Sequence, residues 1–560
     1  MALIKNPFDH DLPAPGTPLV NVQLDGEWVQ VPKGLNIIEV AKRFGKFIPH
    51  YCYHPKLSIA GNCRMCLFEM GMPRLGPDRK PIVDASGRPQ IQWNPKPQIA
   101  CATGATEGMG IRTDSPLVQE CRRSVLEFLL INHPLDCPIC DQAGECLLQE
   151  FAYDFGPGKS RFVEEKVKKP KRVVVGDRVI LDDERCILCS RCVRFAREIA
   201  KNDVLGFVQR GSYTTLTVHP GRLLNDNYSL NTVDICPVGA LTSRDFRFRM
   251  RVWFLEQTPS ICVECATGCN TIIWSRENRI YRITPRVNEE VNSHWMCDIG
   301  RTRFHEMYDK RRVVQPMIRV SGELFPQVWE IVFQKLIERL KGIEGCELAI
   351  LASARLTNEE LFLLKKIRDL LGGTDVLTAI VPRVGEADGI LRSADCNPNT
   401  WGARTFGFDT GEEGLSRLRE AVRTGDRKAL WVIHEDPVTA GISLENLGKL
   451  SLLVWQGLIP GESFERSDFV LPGASFAEKD GTMVNISGRL QRLRKAVACP
   501  GMALPDWQIL RQMYRRLGEA EVASSIGEVF AMMAHEVPLL QGLQWKDVGD
   551  LGVQLRVNVC

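Results

Sequence analysis

Apolar and polar residues alternate over residues 19–31, in the runs LVNVQL and EWVQV on either side of Asp25-Gly26. Period-two alternation predicts strands, and an Asp-Gly pair between two such runs predicts a type I′ hairpin. A short helix should follow, because Asn36 is a good N-cap and Gly45 a good terminator. Beyond it, residues 52–101 keep no regular period and are predicted to form loops and short strands.

The next regular pattern is a helix that begins at Ser115-Pro116, where serine can cap the helix and proline suits its first turn. Its apolar positions recur at helical spacing and predict a buried stripe of Leu117, Cys121, Val125, Phe128 and Leu129. The helix should end near His133-Pro134. On this pattern Cys121 is a core thiol.

A basic stretch follows over residues 159–172, with seven Lys or Arg and two Glu. Such a run predicts a solvated linker, and a docking surface for a partner is the alternative.

After residue 255 the pattern changes to alternating strands and helices. A hairpin is expected around Glu277-Asn278, and Thr357 with Glu360 forms a capping box for a helix that Gly372 should end. Continuous apolar runs predict buried strands at residues 347–351, 429–433 and 451–455. Strands that alternate with helices in this way indicate a parallel α/β domain.

Composition removes several classes of function. The 560 residues allow three or four domains, and the net charge of +3 gives no reason to expect a nucleic-acid partner. No apolar run is long enough to span a bilayer. The first 18 residues contain four prolines and no secretory h-region, so they predict an extended arm. We therefore expect a cytoplasmic protein that meets membranes only through partners.

The cysteines carry the chemistry. Fifteen of the twenty cysteines and one histidine fall into four groups of four between residues 52 and 297. The first group is Cys52, Cys63, Cys66 and Cys101; the second is His133, Cys137, Cys140 and Cys146; the third is Cys186, Cys189, Cys192 and Cys236; the fourth is Cys262, Cys265, Cys269 and Cys297. An iron–sulfur cluster needs four ligands, and none of the groups is short of one.

The spacings differ in specificity. The first group is three cysteines plus a remote fourth, which suits a binuclear cluster better than the two close pairs typical of zinc. The third group has the C-x2-C-x2-C run of a two-cluster bacterial ferredoxin, followed by a remote Cys-Pro. The second run of such a ferredoxin is lost, because Asp226, Ser229 and Thr232 stand where its cysteines would be. One [4Fe–4S] cluster is therefore expected from this segment.

The other two groups leave zinc as a competitor. The second is H-x3-C-x2-C-x5-C, and its alternative is a zinc site with three cysteine ligands and one histidine. A neutral histidine in place of a thiolate should raise the potential of a cluster. The fourth is C-x2-C-x3-C-x27-C around the predicted hairpin, for which a zinc ribbon is the alternative. Outside the four groups, Cys346, Cys396 and Cys499 are predicted to be structural thiols, and His434 is predicted to be a loop residue.

These groups, in this order, closely resemble those of the G subunit of bacterial NADH-quinone oxidoreductase, the 75-kDa subunit family of respiratory complex I. The resemblance rests on CYHP at 52–55, NHPLDCPICDQAGECLLQ at 132–149, ERCILCSRCVRF at 184–195 and DICPVGALTS at 234–243. It implies one [2Fe–2S] cluster on the first group and [4Fe–4S] clusters on the other three, with iron bound through all sixteen residues. No catalytic residue is expected, since the family relays electrons without a complete active site on this chain.

The resemblance also implies partners. They are an NADH/FMN-binding flavoprotein subunit, its [2Fe–2S] companion, and quinone-side iron–sulfur subunits, with the complex on the cytoplasmic face of the inner membrane. The implied electron path runs from the first group to the third and then to the second, with the fourth off the route.

The stretch at 467–492 is similar to molybdopterin oxidoreductases, whose fold this family retains without the cofactor. Active molybdenum enzymes commonly have Lys-Gly two residues after the last cluster cysteine, whereas this chain has Ile299-Gly300. The chain also ends without a closing β-barrel domain, so no molybdopterin is expected. A molybdenum-dependent NAD-linked formate dehydrogenase, the diaphorase subunit of an NAD-reducing hydrogenase and a zinc-stapled scaffold are the alternatives.

The expected fold class is α+β multidomain. Its predicted parts are an extended arm (1–18), a [2Fe–2S] β-grasp domain (19–105), a [4Fe–4S] domain with one histidine and three cysteine ligands (106–158), a ferredoxin-like [4Fe–4S] domain (159–254), and a fourth-cluster region with a truncated molybdopterin-oxidoreductase-like α/β domain (255–560).

Overall fold

The computed structural model describes residues 13–14, 16–518 and 523–555, and it divides into two units at residues 254 and 255. Most of the predicted arm, residues 1–18, therefore lies outside the described residues, as does Cys560. Within the described part of the chain, no helix is long and apolar enough to cross a membrane.

The unit of residues 2–254, called the N-terminal unit, is built from short elements. They are β1 (Leu19–Leu24), β2 (Glu27–Pro32), α1 (Ile37–Arg43), β3 (Leu67–Pro73), β4 (Ile91–Trp93), β5 (Gln98–Ile99), β6 (Gly110–Arg112), α2 (Pro116–Leu130), α3 (Leu147–Phe155), β7 (Val173–Val174), β8 (Val179–Leu181), α4 (Arg191–Glu198), β9 (Leu205–Val208), β10 (Thr215–Val218), α5 (Asn231–Asp234) and β11 (Leu241–Ser243).

The first six strands form a mixed sheet in the order β2-β1-β6-β3-β4, with β5 paired to β3. The predicted hairpin is confirmed, since Asp25 and Gly26 both have positive φ, at 48° and 94°. The Asn36 side chain accepts the backbone N–H of Glu39 at 3.1 Å and so begins α1, as predicted. This helix packs its apolar face into the core of the sheet. The arrangement is the expected β-grasp fold.

Helix α2 corrects one prediction. Ser115 caps it as expected, but its buried positions are Val118, Arg122 and Leu126. Phe128, assigned to the predicted stripe, is 76% exposed. The reason is Arg122, whose guanidinium is buried and donates to the carbonyl of Thr113 at 2.5 Å. That bond turns the face of α2 that carries Arg122 towards the interior, instead of the face that the apolar pattern predicted. Cys121 is therefore half-buried rather than a core thiol.

The basic stretch of residues 159–172 contains no helix or strand, but it is not a freely solvated linker. The Lys166 ammonium donates to the carbonyls of Leu130 and Ile131, at 2.9 and 2.7 Å. The Lys171 ammonium donates to Asp136 at 2.6 Å. The stretch is therefore fastened to the end of α2 and to the loop that carries the second group.

The unit of residues 255–560, called the C-terminal unit, holds the longer elements. They are β12 (Glu256–Ile261), β13 (Asn270–Arg276), β14 (Arg279–Pro285), α6 (Asp298–Thr302), β15 (Met317–Val320), β16 (Glu323–Pro326), α7 (Trp329–Lys341), β17 (Leu348–Ala352), α8 (Asn358–Leu371), β18 (Leu377–Ile380), α9 (Thr400–Thr405), α10 (Glu412–Thr424), β19 (Ala429–Ile433), α11 (Leu444–Leu447), β20 (Leu452–Gly457), β21 (Phe469–Pro472), β22 (Gly481–Val484), β23 (Arg489–Leu493), α12 (Asp506–Gly518), α13 (Ile526–Glu536) and β24 (Val553–Gln554).

A seven-stranded sheet in the order β16-β15-β21-β20-β19-β17-β18 is the centre of this unit. The run from β21 to β18 is parallel, as the apolar patterns predicted. Thr357 and Glu360 form the predicted capping box of α8, and Gly372 ends that helix at φ 141°. Strands β12, β13 and β14 form a separate antiparallel sheet, with the predicted tight turn at Glu277 and Asn278.

Candidate metal centres

The first group lies on the loops around the β-grasp sheet. Cys66 directly precedes β3, and Cys101 lies in a 3-10 turn after β5. The sulfur atoms of Cys52 and Cys63 lie within hydrogen-bond distance, and this contact lowers the pKa of Cys52 and raises that of Cys63. Cys66 and Cys101 form a second such pair. The two pairs are also close to each other, because the charge of Cys52 acts on both Cys66 and Cys101.

The second group begins where α2 ends. Cys137 lies in an exposed 3-10 turn, whereas Cys140 and Cys146 are buried. The charges of the three cysteines act on one another. Burial lowers the pKa of His133 to about 4, and the charges of Arg185 and Lys166 also lower it. A neutral imidazole is the form that binds metal, but among the described residues no hydrogen bond or ion pair joins His133 to the three thiols, so its role as a ligand stays a prediction.

The third group encloses a small cavity lined by all four of its cysteines. Cys192 is on α4, and the other three lie on loops. The backbone N–H of Leu188 donates to the Cys186 sulfur at 3.4 Å. Hydrogen bonds of this kind stabilise a thiolate and are one of the means by which proteins tune clusters.

Three cysteines of the fourth group lie in the connection between β12 and β13, and the remaining one, Cys297, lies between β14 and α6. The N–H of Cys262 donates to the carbonyl of Cys269 at 2.8 Å, and Cys297 directly precedes α6. All four cysteines are buried. A Cβ atom on Gly300 would lie 2.7 Å from the Cys262 sulfur and 3.7 Å from the Cys297 sulfur. Only glycine leaves that space free beside the thiols.

Two observations test whether these residues fit clusters. Burial raises the pKa of most of the thiols, to about 11 for Cys146, Cys189 and Cys297, so they need a metal to become thiolates. The Tyr51 hydroxyl is fully buried and has no hydrogen-bond partner among the described residues, while the charges of Cys146 and Cys63 act on it. A sulfur acceptor would satisfy this hydroxyl. The donor sets therefore fit iron–sulfur clusters.

Within the described residues, no three His, Cys, Asp or Glu side chains converge as ligands of a single metal ion. The ligands of a cluster do not need to converge on one metal ion. In a [4Fe–4S] cluster each ligand binds its own iron atom, and in a [2Fe–2S] cluster two ligands share each iron.

The first three groups are joined by short contacts within the N-terminal unit. The Arg194 guanidinium donates to the carbonyl of Cys52 in the first group, at 2.5 Å. The N–H of Leu147 donates to the carbonyl of Pro237, so the second group touches the segment after Cys236. A Cβ on Gly239 would lie only 2.2 Å from the Cys140 sulfur. The third group therefore contacts both of the others.

Family models match along most of the chain. They are a "2Fe-2S iron-sulfur cluster binding domain" (17–116), an "NADH-ubiquinone oxidoreductase-G iron-sulfur binding region" (122–161), an "NADH-quinone oxidoreductase subunit 3, ferredoxin-like domain" (176–242), an "NADH-ubiquinone oxidoreductase NDSU1/NuoG-like, 4Fe-4S domain" (255–306) and "Molybdopterin oxidoreductase" (383–516). These matches confirm the predicted fold class and both kinds of cluster-binding domain.

A relative from Rickettsia felis, named as the G subunit of NADH-quinone oxidoreductase, is 38% identical over 94% of this chain and 92% of its own length. The chain belongs to the G subunit family of NADH-quinone oxidoreductase. Subunit 3 of the Thermus thermophilus oxidoreductase is 38% identical over 61% of this chain and 45% of its own length. The mitochondrial iron-sulfur protein 1 of NADH dehydrogenase from Solanum tuberosum is 39% identical over 64% of this chain and 46% of its own length. Like the rest of its family, this chain is an iron–sulfur subunit of an oxidoreductase complex.

Sequence reasoning missed several residues of this oxidoreductase subunit. Arg191 and Arg194 flank Cys192 on α4, and their spacing was the available signal. His434 lies in the loop after β19, as predicted, but its ring is buried and its Nε2 lies 2.8 Å from the Asp506 carboxylate. Nothing local to His434 announces Asp506, which is 72 residues away.

A cavity of about 280 Å³ lies at the carboxyl ends of β19 and β20, where ligands of parallel sheets bind. Arg303, Arg355 and Arg383 line it. Its volume is close to the lower end of the range of pockets that hold small ligands. That no molybdopterin binds this chain stays a prediction.

Proposed function

We propose that this chain passes electrons from the NADH side of its complex towards quinone, and that it binds four iron–sulfur clusters. One [2Fe–2S] cluster binds the first group, and one [4Fe–4S] cluster binds each of the second, third and fourth groups. A bound cluster supplies one-electron redox chemistry. The chain itself has no catalytic residue in this proposal.

The observation that carries the proposal is the position of the third group. Its segments contact the first group through Arg194 and the second through Pro237 and Gly239. This supports a route in which electrons enter at the first group, pass to the third, and leave from the second. The fourth group belongs to the other unit, and in this proposal it serves structure rather than the route.

The protein's own residues prepare this route. Eleven of the sixteen proposed ligands are buried cysteines, whose surroundings keep water from the sulfur atoms, whereas Cys137 is exposed. Exclusion of water and N–H donors such as Leu188 tune the potential of each site. Because His133 is neutral, the second group should have the least negative ligand set of the four-iron sites.

The same proposal includes partners and location. Electrons come from a flavoprotein subunit that binds NADH and FMN, together with its [2Fe–2S] companion, and leave to quinone-side iron–sulfur subunits. The complex would place this chain peripherally, on the cytoplasmic face of the inner membrane. The names of the relatives favour this function over the formate dehydrogenase, hydrogenase and zinc-scaffold alternatives.

The test is low-temperature EPR of the anaerobically reduced chain, beside its iron and sulfide content. We expect about 14 iron and about 14 sulfide per chain. His133→Cys should keep the iron and lower the potential of one [4Fe–4S] signal, on the order of 100 mV, because a thiolate adds negative charge.

His305, which belongs to none of the groups, supplies the control substitution His305→Cys. If His133→Cys moves no signal, the proposed ligand set of the second group is wrong. Iron near zero, or stoichiometric zinc or molybdenum, would overturn the relay itself.

A further inference from the structure

Two arginines of α4 join the first group to the third. Arg194 donates through Nη2 to the carbonyl of Cys52 at 2.5 Å and to that of Cys189 at 3.3 Å. Arg191 donates through Nη2 to the carbonyl of Tyr53 and through Nη1 to that of Ile235, at 3.2 Å for the latter. Each guanidinium therefore holds one carbonyl at or beside a cysteine of the first group and another at or beside a cysteine of the third.

The contact is reinforced by further bonds between the same segments. Glu198, at the end of α4, accepts the backbone N–H of Ser58 at 2.9 Å, and Arg194 donates to the carbonyl of that same serine. The Asn62 amide donates to the carbonyl of Leu188 at 3.1 Å. The loop of the first group is thus fastened to the third group at several points, and Arg194 contributes two of these bonds, to the carbonyls of Cys52 and Ser58.

Both guanidiniums are buried, with Arg191 8% and Arg194 6% exposed. Among the residues that the structure describes, neither forms a salt bridge with a carboxylate. A buried charge without a counter-charge is costly. The charges that act on Arg191 include those of Cys189 and Cys52, and Arg194 interacts with the same two thiols. The negative charge that can balance these cations must therefore come from the thiolates and what they bind.

We propose that Arg191 and Arg194 are positioning residues that fix the first group against the third and serve as their shared counter-charge. A cluster held by four thiolates is negatively charged and gains one more negative charge on reduction, so a cation beside it favours the reduced form. Clusters bound to the first and third groups would lie next to the same two cations, which would favour the reduced form of both. No proton needs to move, since arginine stays charged. This inference rests on the ligand sets proposed above.

The test is an anaerobic EPR redox titration of the full cluster-loaded chain. Arg194→Met should lower the midpoint potentials of both the [2Fe–2S] signal and the third group's [4Fe–4S] signal. We expect about a tenfold loss in each reduction equilibrium, which is about 59 mV for one electron. The signals of the second and fourth groups should stay in place.

Two more variants separate charge from folding. Arg194→Lys keeps the positive charge, so it should restore most of both potentials even where one carbonyl bond is lost. Arg197→Met removes an exposed cation from the same helix and should move neither potential.

The inference is overturned if Arg194→Met moves neither potential, or if Arg194→Lys lowers both as far as Met does with full iron retained. It is also overturned if only one of the two signals shifts. If Arg194→Met loses iron, the potentials of Arg194→Lys are compared with those of the unmodified chain. A fall of about 59 mV in both potentials of Arg194→Lys then overturns the inference. Absence of the [2Fe–2S] signal from the unmodified chain would instead reject the proposed ligand sets, and this inference with them.

Discussion

The cores of the two units are built from different side chains. In the C-terminal unit, strands β17, β19 and β20 are buried along their whole length, and the core around them is aliphatic and aromatic. In the N-terminal unit the largest core places Cys52, Cys146, Cys189 and Cys192 among its apolar side chains. Most elements around that core are short, with α2 the exception.

The difference teaches where the free energy of folding comes from. A long parallel sheet with helices on its faces removes enough apolar surface from water to be stable by hydrophobic burial. Short strands and loops around thiols cannot do so alone. For such segments metal-binding free energy is folding free energy. The N-terminal unit should therefore depend on its clusters, and the sheet of the C-terminal unit should not.

Removal of iron should produce the largest difference in stability between the two units. We expect chelation under reducing conditions to abolish exchange protection of amides in α4 and β8, because the metal-binding energy, about 10 kcal/mol for a structural zinc site, is lost. Amides of β19 and β20 should stay protected. Hydrogen exchange with mass spectrometry measures both in one sample, and equal loss of protection in the two units would contradict the comparison.

A substitution that creates a cavity in the sheet of the C-terminal unit should destabilise that unit and leave the clusters of the N-terminal unit intact. Leu430 on β19 is fully buried, and Leu430→Ala should destabilise the C-terminal unit by about 2–5 kcal/mol in urea unfolding. The iron content and EPR signals of the first three groups should not change. The control is Leu370→Ala, since Leu370 is 48% exposed on α8. Loss of iron from the first three groups in Leu430→Ala would show that the units are not independent in stability.

The smallest effect concerns a buried acid in the C-terminal unit. Burial raises the pKa of Glu359 to about 7, although its carboxylate accepts the N–H and hydroxyl of Thr482, both at 2.8 Å. Between about pH 4.3, the unfolded value, and pH 7 the unfolded chain loses this proton while the folded chain keeps it. The contribution of Glu359 to stability should therefore be full below that window and fall across it, by on the order of 3–4 kcal/mol.

Glu359→Gln should remove that part of the pH dependence, because glutamine does not ionise and can still bond Thr482. The measurement is the urea midpoint of the C-terminal unit between pH 5 and pH 8. Glu338→Gln, at an exposed position of α7, is the control. An unchanged slope in Glu359→Gln would mean that other groups, such as the neighbouring Glu360 and Lys479, carry the pH dependence.

Much of the fold could be predicted because its signals are local. The hairpin at Asp25-Gly26, the cap of α1 at Asn36 and the capping box of α8 each depend on a few adjacent residues, and all three are confirmed. The parallel sheet followed from apolar runs separated by helices. The buried face of α2 could not be predicted in the same way, because Arg122 is buried by a bond to a carbonyl outside the helix.

The candidate sites divide along the same line. Within each group most cysteines are close together along the chain, so their spacing indicated which thiols could share a metal. The sequence alone also determined the family and the alternation of strands and helices in the C-terminal unit. Only the tertiary structure decided that Arg194 bonds the carbonyl of Cys52, 142 residues away, and that Gly239 lies against Cys140. The physical reason is that a motif depends only on residues that are neighbours along the chain. The partners of a buried charge, and the atoms that a backbone approaches closely, depend on how distant segments pack.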